Sequence, residues 1–156
     1  HQPRRQRQMC IRDRAIIEGI QDGTIDAIAS DHRARSKDTK AQPFSAASVG
    51  ASGIETLFSI TLDLVHKKII DINKAISFLT INPAKIFGID SPNLEEQKVA
   101  DFIVFDEDEP HTIKKENLKT SPTPFDGKKI HGKILATFIN GQVAFMNHIF
   151  KNKIIK

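Results

Sequence analysis

The chain has 156 residues, 39% of them hydrophobic, with ten Phe, no Trp or Tyr, one cysteine and a formal net charge of +4. That length allows one domain of ordinary size or parts of two. No apolar run approaches the roughly 20 residues of a membrane span, and the single cysteine excludes a disulfide or a Cys-based zinc site within the chain, which fits a reducing, cytoplasmic compartment.

Residues 1–14 hold the whole charge excess, with Arg4, Arg5, Arg7, Arg12 and Arg14 against Asp13. This stretch has no apolar periodicity, contains Cys10, and resembles translated sequencing adapter; it is set apart as non-native. A nucleic-acid-binding arm would be followed by a basic patch or an aromatic platform. A transit peptide would be Ser-rich and amphipathic. Neither pattern is present, so neither nucleic acid nor membrane is expected as a partner.

Residues 15–22 predict the end of a helix with Ile16, Ile17 and Ile20 on one face, stopped at Asp22-Gly23. Ile25 to Ser30 predicts a short strand running straight into Asp31-His32. From Arg33 to Ser52 the chain is polar and small, a loop long enough to suggest function. Gly53 is expected to open a helix carrying Ile54, Leu57, Phe58, Thr61, Leu62 and Val65. Asp71 caps a second helix with Ile72, Ala75, Ile76 and Leu79 inward. Asn82-Pro83 starts a third that Gly88 closes. After a linker near Ser91-Pro92-Asn93 the period changes: Ala100–Asp106, Ile134–Ile139 and Gln142–Met146 read as strands. Asn140-Gly141 joins the last two as a tight hairpin, because both residues tolerate positive φ. The divisions are thus residues 15–92, residues 93–147, and a basic tail at 148–156.

Asp31 ends a strand and heads a long loop, the edge at which catalytic groups of (β/α) barrels collect. A carboxylate there can ligate a metal or take a proton from bound water; an isolated Asp serves equally as a loop cap. Arg33, Arg35, Lys37 and Lys40 suit an anionic substrate or a solvated loop. Gly50 and Gly53 let backbone approach a ligand, or simply bend. His32 by itself reads as a packed residue, and His66, His111, His131 and His148 are too scattered for a spaced metal cluster. Composition and periodicity reach an α/β fold: the last unit of a barrel plus a small β-rich part.

Five segments then resemble one family, the dihydroorotases of the amidohydrolase superfamily, with allantoinase as nearest relative. They are Glu18 through His32, Gly53-Ile54-Glu55-Thr56, Asn82-Pro83-Ala84-Lys85-Ile86-Phe87-Gly88, Ala100 through Asp106, and Thr123-Pro124-Phe125-Asp126-Gly127 with the hairpin beyond it. The resemblance runs from about Ala15 to Asn147. It implies the last strand and helices of a (β/α)8 TIM-type barrel and part of a small C-terminal β-sandwich, with one or two zinc ions in the whole barrel. It implies interconversion of carbamoyl-aspartate and dihydroorotate, with Asp31 as metal ligand and proton shuttle. Arg35 stands where the family has a His that binds the substrate carboxylate. Ala47-Ser48-Val49-Gly50 stands at the family's Ala-Pro-Phe-Gly substrate loop, which makes Arg35, Ala47 and Gly50 the substrate-binding candidates. A TIM barrel needs roughly 250 residues, so the chain is expected to be a C-terminal fragment, inactive alone. The alternatives are an allantoinase-like or other cyclic ureide hydrolase, and a noncatalytic dihydroorotase-like subunit. A small-molecule substrate, self-association or association with aspartate carbamoyltransferase are the expected partnerships.

Overall fold

The computed structural model describes residues 4–90, 94–120 and 122–147; the linker at 91–93, the tail at 148–156 and His148 lie outside them. Helix α1 (Arg4–Asp22) is longer than the 15–22 expected. A helix closes its own hydrogen bonds from turn to turn, so it can continue beyond its packed end. The side chains from Cys10 to Ile16 are all exposed, and burial begins only at Gly19 and Ile20.

The expected strand at Ile25–Ser30 forms no ladder. A parallel strand takes its hydrogen bonds from strands on either side, and this run has none among the described residues. It is held instead by the Ile25 N–H to Gly19 O (2.9 Å) and the Ile28 N–H to Phe78 O (3.2 Å). A single parallel bridge, His32 to Ala51, follows it.

The loop after Arg33 contains one helical turn, α2 (Lys37–Lys40), capped by the Ser36 hydroxyl. Helix α3 (Leu57–His66) starts four residues later than Gly53, because residues 54–56 form a turn that leaves Ile54 outside the packing. Helix α4 (Ile72–Leu79) carries the expected cap, the Asp71 carboxylate accepting the Lys74 N–H at 2.9 Å. Helix α5 (Ile81–Phe87) ends where Gly88 turns left-handed at φ 64.

Ile20, Ile70, Ala75 and Phe78 form one buried cluster, with Ile25, Ile28, Leu64, Val65 and Ile69 packed around it. It lies where α1, the extended run, α3 and α4 meet. The sheet is antiparallel in the order β1 (Phe102–Thr112), β2 (Lys129–Ile139), β3 (Gln142–Met146). The first two strands are longer than expected, and Asn140 (φ 53) with Gly141 (φ 73) makes the anticipated turn between β2 and β3. A sandwich needs a second sheet; among the described residues α3 covers this one instead. Phe58 meets Phe105 edge-on at 5.0 Å, and the Ser59 hydroxyl donates to Gly132 O at 3.0 Å. Gly132 is required there: at φ +93 any Cβ would run into the Leu62 side chain.

Helix α3 is therefore the joint, with Leu64 and Val65 facing the helical core and Phe58, Ser59 and Leu62 facing the sheet. Strand β1 bulges between Asp106 and Pro110, where proline has no N–H for the ladder. The Asp106 carboxylate accepts the Asp108 and Glu109 N–H groups there, and His66 at the end of α3 bonds to Glu107 O at 2.9 Å.

Candidate functional site

The loop pair 31–35 and 49–54 is built on backbone contacts. The Arg33 N–H donates to Ala51 O at 2.9 Å beside the His32–Ala51 bridge, which aligns the two segments. Asp31 sits at the start of this pairing with φ 41, a left-handed backbone that ordinary residues rarely adopt. Its side chain is 81% exposed, and Oδ1 is met by the Arg33 Nε–H at 3.1 Å. At that exposure the ion pair contributes little stability, but it leaves a carboxylate and a guanidinium side by side at the loop edge.

The Arg35 Nε–H is donated to Val49 O at 3.1 Å, so an anion would be met by the Nη amino groups. Gly50 lies under both arginines: at φ +112, a Cβ there would fall 2.8 Å from Arg33 Cβ and 3.6 Å from Arg35 Nε. Ala47 is half-buried further round the same loop, its N–H on Pro43 O at 2.9 Å. Arg35 and Gly50 thus lie together, Arg33 links Gly50 to Asp31, and Ala47 belongs to the turn that shapes the loop. Lys40, read in the sequence as part of a basic loop, is a staple: its ammonium donates to Ser48 O (3.0 Å) and Gly50 O (2.9 Å).

Two residues passed over in the sequence organise the site. His32 Nδ1 faces the N–H groups of Gly53 (3.2 Å) and Ile54 (3.3 Å). The Glu55 carboxylate accepts the Lys119 N–H, the Thr120 N–H and the Thr120 hydroxyl, each at 3.0 Å. Burial pushes the Glu55 carboxyl up, but these donors and the Lys119 charge outweigh it and leave the group below its ordinary value. The clamp is reinforced by the Ser52 N–H on Pro122 O and by contact between the Ser52 and Thr120 hydroxyls. The Gly53-Ile54-Glu55-Thr56 motif was the available signal. Its Gly is needed because a Cβ at 53 would lie 3.0 Å from Ser30 O.

The cavity under α3, of about 120 Å³ and lined by Glu55, Thr56, Ser59 and His111, does not include Asp31. Its volume suits a few waters, and the buried His111 Nδ1 has no hydrogen-bond partner among the described residues. Among the described residues no three His, Cys, Asp or Glu converge as metal donors. Asp31 offers one carboxylate, and His32 Nδ1 already faces two amides. Catalytic zinc takes about three protein ligands, so the residues present do not make a zinc site by themselves. No helix among those described is long and apolar enough to cross a membrane.

The Amidohydrolase family model matches residues 11–144. The dihydroorotase of Thermoanaerobacter sp. (strain X514) is 40% identical over 134 residues, covering 84% of this chain and 31% of that protein. The dihydroorotase of Clostridioides difficile (strain 630) is 38% identical over 131 residues, covering 83% and 31%. Among solved structures, the L-hydantoinase (dihydropyrimidinase) of Arthrobacter aurescens superposes with a TM-score of 0.78 at 26% identity, over 84% of this chain and 31% of that one. The inactive dihydroorotase-like domain of the Chaetomium thermophilum CAD-like multifunctional protein gives 0.52 at 22% identity, over 64% and 27%, a likeness of fold alone. The chain spans about 31% of the length of the curated relatives it matches.

Proposed function

The chain belongs to the amidohydrolase family, and from that premise we propose that it is the part of a dihydroorotase-like hydrolase of cyclic amides that carries the proton-transferring carboxylate, Asp31. The observation that supports this best is an 81% exposed carboxylate at the edge of the paired loops, in a chain 40% identical to a dihydroorotase.

The chemistry asks little more of this segment. When water adds to the ring amide carbon, a carboxylate at the reaction centre accepts its proton. The same carboxylic acid then gives that proton to the ring nitrogen as the C–N bond breaks, so the group ends as it began. Arg35 would hold the substrate carboxylate through its Nη groups, with Gly50 and Ala47 shaping the loop behind it. Zinc, when bound, would supply Lewis acidity, with its remaining donors drawn from parts of the fold that this chain does not span.

The Asp31–Arg33 pair favours a second reading. A carboxylate held at 3.1 Å by a guanidinium fits a noncatalytic dihydroorotase-like subunit, whose role would be to support a partner such as aspartate carbamoyltransferase. The two separate on one measurement. In a whole barrel containing this segment, Asp31→Asn should lower kcat about 10²–10⁴-fold with dihydroorotate and with carbamoyl-aspartate. A wild-type barrel without turnover on either substrate would establish the noncatalytic reading; turnover on hydantoin or allantoin instead would move the substrate to another cyclic ureide.

A further inference from the structure

Asp31 holds an unfavourable backbone conformation on an exposed edge. Left-handed φ is sparsely populated even by Asp, which enters it more readily than most side chains, so neighbouring contacts must hold it in place. On its N-terminal side the run from Ile25 has no ladder. On its C-terminal side stand the Arg33 N–H on Ala51 O and the His32 ring. That ring is half-buried, and Nδ1 lies 3.2 Å from the Gly53 nitrogen and 3.3 Å from the Ile54 nitrogen. Both N–H groups precede α3, where backbone donors have no helical acceptor. A single imidazole nitrogen can accept from them only through its lone pair, which puts the ring proton on Nε2.

We propose that His32 is a positioning residue for Asp31: its Nδ1, as an acceptor, ties the loop that carries the carboxylate to the backbone leading into α3. Helix α3 packs on both the helical core and the sheet, so it makes a stable reference. Gly53 completes the arrangement, because a side chain there would push against Ser30 O, one residue before Asp31. The inference deepens the reading of Asp31 as the reacting group, and the contact it rests on is read without turnover.

The test uses the 156-residue chain and two variants. His32→Asn keeps an acceptor at the position of Nδ1; His32→Ala removes it. Ring ¹⁵N spectra of the wild type should show His32 with its proton on Nε2. Amide hydrogen exchange at Gly53 and Ile54 should quicken about tenfold in His32→Ala and stay near wild type in His32→Asn. The Asp31 Cα–Hα residual dipolar coupling should move in the alanine variant and return in the asparagine variant. A proton on Nδ1, equal exchange in all three proteins, or an Asp31 coupling unmoved in His32→Ala would each overturn the proposal. If Ala75 in the core also loses protection in His32→Ala, His32→Asn decides, and failure to restore Gly53 and Ile54 overturns it. A loss of activity in Asp31→Asn, or its absence, leaves these readouts unchanged, so the two readings fail separately.

Discussion

Arg35 follows Asp31 by four residues, and the structure ties its Nε to Val49 O, which aims the guanidinium without consuming its Nη donors. A substrate carboxylate held there would gain a charge-assisted bond of roughly 1.5–3 kcal/mol. In a whole barrel, Arg35→Ala should therefore raise KM for dihydroorotate about 10- to 100-fold while kcat changes much less. An unchanged KM would mean that the side chain serves only to brace Val49. The place of Asp31 at the head of the loop was legible in the sequence, because a strand-like run ends on it and a long polar loop begins. The Arg33 partner was not, since nothing in Asp-His-Arg-Ala-Arg says which arginine turns back. Lys40 shows the same limit: charge in a loop suggests a ligand, whereas here the ammonium closes two backbone carbonyls.

At the scale of elements, the patterns that depend on neighbours in sequence were the ones that could be read. The Asp71 cap, the Gly88 terminus and the Asn140-Gly141 turn are local, and each formed as expected. The run at Ile25–Ser30 was not decidable that way, because a parallel strand exists only by its partners. The Glu55 clamp joins residues 64 and 65 positions apart, beyond any periodicity. Glu55→Ala should remove the acceptor of the exposed Lys119 and Thr120 N–H groups and cost about 0.5–1.5 kcal/mol, read as a lower urea midpoint; an unchanged midpoint would mean water replaces the clamp. Asp63 gives α3 a second tie: burial raises its carboxyl, but Lys128 (2.9 Å) and Lys67 (3.0 Å) outweigh that and leave it lowered. A depressed folded value stabilises the fold above the unfolded value and is lost as pH falls through the folded one. The midpoint should thus hold steady above about pH 5 and drop below about pH 4, the ordinary carboxylate range. In a protein with both Glu55→Gln and Asp63→Asn that acid limb should be shallower; an identical limb would assign the loss to other carboxylates.

For the molecule as a whole, the question is what this much of an amidohydrolase can do by itself. Two features bear on it, and both point the same way. Ile81, Ile86, Phe87 and Ile89 around α5 are 45–75% exposed, as are Val143 (52%) and Phe145 (49%) on β3. Large apolar side chains left exposed on one helix and one strand offer surface for association. The donor set is the second feature: one exposed carboxylate, with its Oδ1 against Arg33, and no third donor converging among the described residues. Zinc bound through a single carboxylate keeps most of its water shell and gains little of the affinity that three converging ligands provide. The 156-residue chain, dialysed against zinc and then against buffer, should retain far less than one ion per chain and show no dihydroorotate turnover above background. It should also self-associate with rising concentration, because the apolar faces remain available. Retention of one zinc per chain by a monomer would show that donors outside the described residues, or from His32 after release from Gly53 and Ile54, complete a site. Retention only in the associated form would show instead that two copies pool their Asp31 carboxylates, a distinction that sedimentation with metal analysis of each species resolves.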